Sequence, residues 1–208
     1  MQDFNPRTLL DVGCAMGYLV SALRDLGVDA YGIDISEYAI SRVREDIKPY
    51  CRALSALDPL PEEFPKVYDM VTNIEVAEHL SQEEGKRLIS ILCNYSDCII
   101  FSSTPNDYDE KTHINVQKNE YWAKIFAQNG FYNHLDYDLN YLAPQAIYFS
   151  KEQKSIPQIV EDYERHLRIL KKSNTLGLKR IEQLEQQLQM KIEQLEQQKE
   201  QLQQQKEQ

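Results

Sequence analysis

The sequence lacks several features that mark particular classes of protein. Its 208 residues contain no apolar run that approaches the ~20 residues of a membrane-spanning helix, and the first residues show no secretory signal pattern. The four cysteines form no C-x-x-C pair and lie among apolar residues. These absences predict a cytoplasmic protein with no membrane span, whose cysteines are reduced thiols of a packed core.

Positive charge is also scarce. The chain holds 23 Lys and Arg against 33 Asp and Glu, for a net charge of −10. Residues 153–208 carry 10 basic against 9 acidic side chains, so residues 1–152 carry 13 against 24. An acidic surface repels the phosphate backbone of nucleic acids. We therefore expect a small-molecule ligand and no nucleic-acid partner.

A glycine-containing turn between two predicted strands organises the first part of the sequence. Residues 8–12 are apolar enough for a strand that is buried on both faces. Gly13 and Gly17 bracket a turn, and a helix is predicted over residues 18–26. Asp34 ends the second strand, at a spacing where a carboxylate can accept the ribose hydroxyls of a nucleoside. The pattern predicts a βαβ unit that binds an adenosine-bearing cofactor.

The turn differs from the dinucleotide pattern G-x-G-x-x-G, because Ala15 and Tyr18 occupy its second and third glycine positions. Asp11-x-Gly13-x-Ala15-x-Gly17 instead resembles the first motif of class I S-adenosylmethionine methyltransferases. Residues 32–36, Gly-Ile-Asp-Ile-Ser, resemble their second motif. The resemblance implies that the turn runs beside the methionine part of S-adenosylmethionine and that the acidic residue binds its ribose. The alternative is a structural βαβ unit without a ligand.

Alternating strands and helices continue to about residue 150. Further strands are predicted over residues 49–54, 68–72 and 98–102, and helices over 37–44, 82–92 and 120–128. Two late segments, 131–137 and 146–149, are predicted to form an antiparallel pair. The predicted fold is α/β and Rossmann-like, with a mostly parallel seven-stranded sheet and helices on both faces.

The resemblance assigns cofactor binding to the residues at the carboxyl ends of the strands and in the turns that follow them. Residues 55–58 resemble the loop that flanks the adenine ring, and which of them accepts the adenine amino group stays open. For Asp58 the alternative is an acidic turn residue before a proline. The expected cofactor-binding residues are Asp11, Gly13, Cys14, Ala15, Gly17, Asp34, Ile35, Ser55, Asp58 and Asn73.

Three residues with metal-binding side chains follow the fourth predicted strand. Glu75, Glu78 and His79 stand at i, i+3 and i+4, so on a helical turn they would project to one side. His113, after the fifth strand, could reach the same point. Two carboxylates and one or two imidazoles suit a divalent ion such as Mg²⁺ or Mn²⁺ better than a structural zinc. We expect these four residues to form the catalytic group.

This pattern resembles the ubiquinone-biosynthesis O-methyltransferases and the small-RNA terminal 2′-O-methyltransferases. The resemblance implies a divalent ion that binds hydroxyl oxygens of the acceptor, whose pKa must be lowered for attack at neutral pH. The acidic composition disfavours the RNA branch, so we predict O-methylation of a sugar, polyol or phenolic hydroxyl. Two alternatives remain. His79 or His113 could act as a metal-free base, or these residues could be purely structural.

The composition changes after Lys151, and residues 153–208 contain 14 glutamines. With Val160 at position a, a heptad pattern of apolar residues continues to Leu188 and contains Asn174 as a polar a residue. Residues 181–187 recur at 192–198, a period of eleven that favours a straight or slightly right-handed coil. We predict two domains, a methyltransferase domain over 1–152 and a helical coiled coil over 153–208.

The predicted coiled coil would join copies of the chain or bind a partner. The alternative is a solvated, low-complexity helix. A second functional hypothesis for the whole chain is a non-catalytic methyltransferase-fold scaffold that oligomerises through the coil. Only seven residues precede the first predicted strand, so we expect an open site or one that another chain covers.

Overall fold

The computed structural model describes residues 4–135, 137, 139–152 and 154–206. The chain divides into two compact units, Met1–Ser155 and Ile156–Gln208. The first unit is an α/β domain and the second is one long helix. Among the described residues, no helix combines the length and the hydropathy that a membrane crossing requires.

The first unit contains a seven-stranded sheet in the order β3-β2-β1-β4-β5-β7-β6. Strands β1 to β5 pair in parallel, and β7 runs antiparallel to both β5 and β6. The mostly parallel seven-stranded sheet predicted from the sequence is confirmed. The strands are β1 (Thr8–Val12), β2 (Asp29–Asp34), β3 (Cys51–Ala53), β4 (Met70–Ile74), β5 (Cys98–Ser102), β6 (Tyr132–Asn133) and β7 (Ile147–Ser150).

The strand boundaries agree best where the apolar runs are longest. Strands β1 and β5 begin and end as predicted. Strand β4 begins two residues later than the predicted residue 68, because Tyr68 N–H donates to Tyr95 O outside the sheet and the Asp69 carboxylate accepts from Arg7 N–H and Thr8 N–H. Strand β6 is much shorter than the predicted 131–137, a range that includes residue 136, outside the described residues.

In the described part of the first unit, four α-helices connect the strands. They are α1 (Tyr18–Asp25), α2 (Glu37–Ser41), α3 (Gln82–Tyr95) and α4 (Asn119–Gln128). Ser36 caps α2 by accepting from Ala39 N–H, and Ser81 and Glu84 form a capping box at α3. Helix α2 is shorter than the predicted 37–44, and Arg44 beyond its end pairs with Asp25 and Asp46.

Apolar cores lie on both faces of the sheet, as predicted for helices on both faces. Leu9 and Leu10 are neighbours in β1 and belong to different cores, since successive strand residues point to opposite faces. Leu10 packs in the core that contains Trp122 and Phe126 of α4. Leu9 packs in the core that contains Val20 of α1. Strand β1 therefore contributes to the cores on both faces of the sheet.

Strand β1 also sets the position of the site, because it pairs with both β2 and β4. After β1 the chain continues to β2 and β3, which lie on one side of β1 in the sheet. It then crosses to β4, which pairs with the other side of β1. In an open parallel sheet this reversal opens a crevice at the carboxyl ends of the two strands, and ligands bind there.

The second unit is α5, Ile156–Lys206, a helix of 51 residues. Its side chains are described up to residue 190, except at 173, 182, 185 and 188. Most of the described leucine and isoleucine side chains of α5 are exposed, with Leu176 at 60% and Ile181 at 53%. The tail is therefore helical, and its association as a coiled coil stays a prediction.

Candidate active site

The chain leaves β1 through a glycine turn, which we define as residues 13–17. The backbone N–H groups of Gly13 and Cys14 both donate to Ile33 O, at 2.8 and 3.0 Å, and so attach the turn to β2. Gly13, Ala15 and Gly17 have positive φ angles of 88°, 47° and 70°. This left-handed backbone folds the chain sharply into α1, and glycine adopts it without steric cost.

Close packing around the glycine turn leaves little room for side chains. A Cβ added at Gly13 would lie 2.2 Å from Val76 Cγ2, and one added at Gly32 would lie 2.7 Å from Cys14 Sγ. The Gly13 contact joins the turn after β1 to the segment after β4. Because Val76 stands between Glu75 and Glu78, the predicted cofactor residues and the predicted catalytic residues meet at this point.

Asp34 lies at the carboxyl end of β2 and faces the glycine turn. Its Oδ2 accepts from Ala15 N–H and its Oδ1 accepts from Ser36 N–H, each at 2.8 Å. The next residue, Ile35, is 78% exposed. The fixed Asp34 carboxylate can accept hydrogen bonds from ribose hydroxyls. The uncovered Ile35 side chain can pack against a base.

Ser55 and Asp58 lie in the turn after β3, beside β2 in the parallel sheet. Asp58 N–H donates to Ser55 O, and Ser55 Oγ accepts from Leu57 N–H. The Asp58 side chain is exposed. The structure thus places both residues, like Asp34, at the carboxyl ends of the parallel strands. Their binding to adenine stays a prediction.

Two buried polar side chains lie at the carboxyl ends of β1 and β4. Asp11 accepts a hydrogen bond from Thr72 Oγ1 at 2.7 Å. Burial raises the pKa of Asp11 to about 6, and the negative charge of Asp34 acts in the same direction. Asn73 donates from Nδ2 to Val12 O at 2.9 Å, while its Oδ1 is buried without a hydrogen-bond partner among the described residues. That oxygen can accept from a ligand.

A second cluster, the Glu-His-His group, consists of Glu78, His79 and His113. One potential ligand atom of each residue lies within 4.8 Å of those of the other two. Glu78 and His79 belong to a short 3₁₀ turn, Ala77–His79, and His113 comes from the loop after β5. Asn115 N–H donates to Glu78 O at 3.0 Å and ties this loop to the turn. The structure thus brings together three of the four predicted catalytic residues.

Backbone carbonyl groups orient both imidazole rings. His79 Nδ1 lies 3.3 Å from Thr112 O, and His113 Nδ1 lies 3.1 Å from Asp107 O. A carbonyl oxygen only accepts, so the Nδ1 atom of each neutral ring carries the hydrogen. The Nε2 atom of each ring then keeps its lone pair and can bind a metal ion or accept a proton.

The prediction that Glu75 joins the others on one helical turn is wrong. Glu75 has a φ angle of 55° and precedes the 3₁₀ turn, because its N–H still donates to Ser102 O of β5. Its Oε1 accepts from Ser102 Oγ at 2.6 Å and from Gln145 Nε2 at 2.7 Å. Glu75 is therefore a neighbour of the Glu-His-His group and not a member of it.

Glu78 is fully buried and its carboxyl group is poorly solvated. Burial raises the pKa of Glu78 to about 7, and the nearby Glu75 carboxylate adds to this increase. Glu78 Oε1 accepts a long hydrogen bond of 3.5 Å from Thr104 N–H, and Oε2 has no well-formed hydrogen bond among the described residues. A buried carboxyl group whose pKa is raised toward neutral pH is typical of sites of proton transfer or ligand binding.

Sequence reasoning missed two residues that hold Glu75. Ser102 is the last residue of β5, so its place at the sheet edge was available from the strand prediction. Gln145 lies in the segment before β7 and is 70 residues away from Glu75 in the sequence. No local pattern marks Gln145, because the contact exists only once β7 has paired with β5.

Comparison with known proteins identifies the family. A family model described as "Methyltransferase domain" matches residues 2–135, well over half of the chain. The ubiquinone biosynthesis O-methyltransferase of Methylococcus capsulatus is 37% identical over 79 residues, which are 36% of this chain and 33% of that protein. The match thus spans about a third of the length of this curated relative.

Solved structures of methyltransferases share the fold. A SAM-dependent methyltransferase from Archaeoglobus fulgidus matches with 25% identity and a TM-score of 0.53, over 62% of each chain. Magnesium protoporphyrin IX methyltransferase from Synechocystis, solved with bound SAM, matches with 22% identity and a TM-score of 0.53, over 69% of each chain. The family match covers the glycine turn and the Glu-His-His group together. The chain belongs to the methyltransferase-domain family.

Proposed function

We propose that this enzyme transfers the methyl group of S-adenosylmethionine to a hydroxyl oxygen of a small acceptor, namely a sugar, a polyol or a phenol. The observation that carries the proposal is the Glu-His-His group, which the contact between Gly13 and Val76 connects to the glycine turn. The O-methyltransferase name of the Methylococcus relative supports oxygen as the accepting atom.

The residues around the glycine turn fit S-adenosylmethionine. Asp34 would accept the ribose hydroxyls with lone pairs that its two backbone hydrogen bonds leave free. The unpartnered Asn73 Oδ1 would accept from an N–H group of the ligand. Gly13 and Gly17 keep the turn compact, because a side chain at Gly13 would collide with Val76 and one at Gly17 would crowd Val43 and Cys51. When bound, the cofactor supplies an electrophilic methyl group on a sulfonium.

Titration calorimetry with S-adenosylhomocysteine tests the cofactor assignment. Asp34→Asn is expected to weaken binding at least ~10-fold, the loss of about one charge-assisted hydrogen bond. Asp29→Asn is the matched control, because Asp29 starts the strand that Asp34 ends and its side chain is 70% exposed. Its affinity should stay within about twofold of wild type. Absence of binding by the folded wild-type protein would contradict the assignment.

The Glu-His-His group would manage the proton that the acceptor hydroxyl loses. One ring nitrogen each of His79 and His113 and an oxygen of the buried Glu78 carboxylate lie within 4.8 Å of one another. One carboxylate and two imidazoles suit a transition-metal ion such as Mn²⁺ better than Mg²⁺, which prefers oxygen ligands, and such an ion would lower the pKa of a hydroxyl bound to it. Without a metal, an Nε2 atom could take the proton directly as a general base.

Manganese binding distinguishes these two forms of the mechanism. Electron paramagnetic resonance of added Mn²⁺ measures binding without any substrate. We expect one bound Mn²⁺ per wild-type chain, at least ~10-fold weaker binding for Glu78→Gln, and unchanged binding for Glu62→Gln, which alters an exposed glutamate. If Mn²⁺ stays free and a chelator leaves turnover unchanged, the metal part of the proposal is wrong and the imidazole base remains.

The acceptor class is tested by screening for release of S-adenosylhomocysteine. A panel of catechols, sugars, polyols and amines is incubated with the enzyme, with and without Mn²⁺. Turnover of hydroxyl compounds and none of simple amines is expected. The non-catalytic scaffold is not favoured, because the chain belongs to an enzyme family and keeps an ordered group of titratable side chains at the sheet edge.

A further inference from the structure

Helix α5 exposes a regular series of apolar side chains. Val160, Leu167, Leu170, Ile181 and Leu184 are 42–55% exposed. A helix that stands alone in water gains no packing from such residues, and most helical stability in proteins comes from a buried apolar face. Burial of the exposed series against a partner would therefore stabilise the helix.

The apolar series has an internal symmetry in the sequence. It occupies positions 160, 163, 167, 170, 174, 178, 181, 184, 188, 192, 195, 199 and 202. Counted outward from Ile181, the spacings between successive positions are 3, 4, 4, 3, 4 and 3 residues toward the N-terminus. They are also 3, 4, 4, 3, 4 and 3 residues toward the C-terminus, so the series is symmetric about Ile181. Eleven of the thirteen positions hold Val, Leu, Ile or Tyr, and the exceptions are Asn174 and Lys199. We call these positions the α5 stripe.

We propose that α5 pairs antiparallel with α5 of a second copy of this chain, with Ile181 on the two-fold axis. In that register each stripe position meets another stripe position, 160 opposite 202, 167 opposite 195, 170 opposite 192 and 178 opposite 184. A two-fold interface must be self-complementary, and a stripe with a symmetric spacing meets this condition. The proposal concerns the second unit and is independent of the proposed function.

Charge along α5 selects the antiparallel orientation. Residues 156–180 contain six Lys or Arg against three Asp or Glu, whereas residues 181–206 contain three Lys against five Glu. Antiparallel pairing places the basic half of one helix along the acidic half of the other. Parallel pairing places like charges together. Next to the centre, the register puts Arg180 opposite Glu182 of the second copy, which is a pair of opposite charges.

The stoichiometry is tested by sedimentation equilibrium of the full chain. Wild type is expected to be a dimer, and Ile181→Asp to dissociate it at least ~100-fold more readily, because two unpaired carboxylates would be buried at the axis. Leu176→Asp is the matched control, since Leu176 is as exposed as Ile181 but lies off the stripe. Its dissociation constant should stay within about twofold of wild type. A wild-type monomer or a higher oligomer overturns the proposal.

The orientation is tested by disulfide cross-linking of single-cysteine substitutions in α5. Leu167→Cys mixed with Leu195→Cys is expected to yield a covalent dimer on mild oxidation, and Leu167→Cys alone is expected to yield none. The wild type provides the background, because its four cysteines all lie in the first unit and three of them are buried. A covalent dimer from Leu167→Cys alone shows parallel pairing and overturns the proposed orientation.

Discussion

The glycine turn and the Glu-His-His group lie at the same edge of the sheet, but they are built in different ways. The glycine turn and its partner Asp34 come from one local segment, residues 13–34, and the contacts within it are mostly backbone hydrogen bonds. The Glu-His-His group combines side chains from the turn after β4 and the loop after β5. The first depends on the path of the backbone, and the second on which side chains the tertiary fold brings together.

The two regions also differ in the burial and the hydrogen bonding of their carboxyl groups. Asp34 is half-buried and satisfied by two N–H donors. Glu78 is fully buried and lies near a second carboxylate, and the pKa of Glu78 is raised to about 7. The comparison teaches that the glycine turn should be sensitive to changes of shape, and the Glu-His-His group to changes of charge. The following predictions test this difference.

The largest effect is expected for a change of charge that keeps the shape. Glu78→Gln should lower kcat/KM by about 10²–10⁴-fold, the usual contribution of a group that handles a proton. The affinity for S-adenosylhomocysteine should remain within about twofold of wild type, as calorimetry would show. An equal loss of cofactor affinity would contradict the separation of the two regions.

The next effect is expected for a change of shape without charge. Gly13→Ala should cost about 3 kcal/mol of unfolding free energy, from the left-handed backbone and from the collision with Val76 Cγ2. Urea unfolding followed by the fluorescence of Trp122, the one tryptophan of the chain, measures this cost.

Two variants separate the causes of this cost. Gly27→Ala also places alanine at a positive φ of 84° but meets no atom within 4 Å, so it should cost only about 1–2 kcal/mol. Adding Val76→Ala to Gly13→Ala removes the colliding atom and should lower the cost of the Gly13 change. If Gly13→Ala and Gly27→Ala lower the unfolding free energy by the same amount, the close packing of the turn does not contribute to stability.

Buried Asp11 should make stability depend on pH in a direction opposite to that of a salt-bridged aspartate. Its pKa is about 6 in the folded protein and near the ordinary 3.8 in the unfolded chain. Between these values the folded state binds more protons, so the stability contribution of Asp11 is present below pH 4 and is lost as the pH rises toward 6. The full difference is about 3 kcal/mol.

Asp11→Asn should remove this pH dependence. The difference in unfolding free energy between wild type and variant is measured by urea unfolding at several values between pH 4 and pH 7, which cancels the other titrating groups. A difference that does not change over this range would mean that Asp11 is ionised throughout it.

The smallest effect is expected for a residue that positions another residue. Gln145→Ala removes one of the two donors to Glu75 Oε1 and should lower kcat/KM about 10-fold. Gln117→Ala is the control, because Gln117 donates to Asn115 Oδ1 and not to a carboxylate. It should change kcat/KM less than about twofold. Equal losses in both variants would argue against a specific role for Gln145.

Much of the fold was predictable because its signals are local. The apolar runs of β1 and β5 define their own ends, and Ser36 and Ser81 mark helix starts as capping residues. The short β3 and α2 were predicted too long, because their flanking residues are equally compatible with turns and ion pairs. Boundaries failed where tertiary contacts decided between local options of similar energy.

The sequence by itself determined the glycine turn, the succession of strands and helices along the chain and the placement of titratable residues at strand ends, because glycine geometry and apolar periodicity act over a few neighbouring residues. Only the tertiary structure decided that Glu75 turns toward Ser102 and Gln145 while Glu78 joins His79 and His113. It also raised the pKa values of Asp11 and Glu78, because desolvation depends on everything that packs around a group.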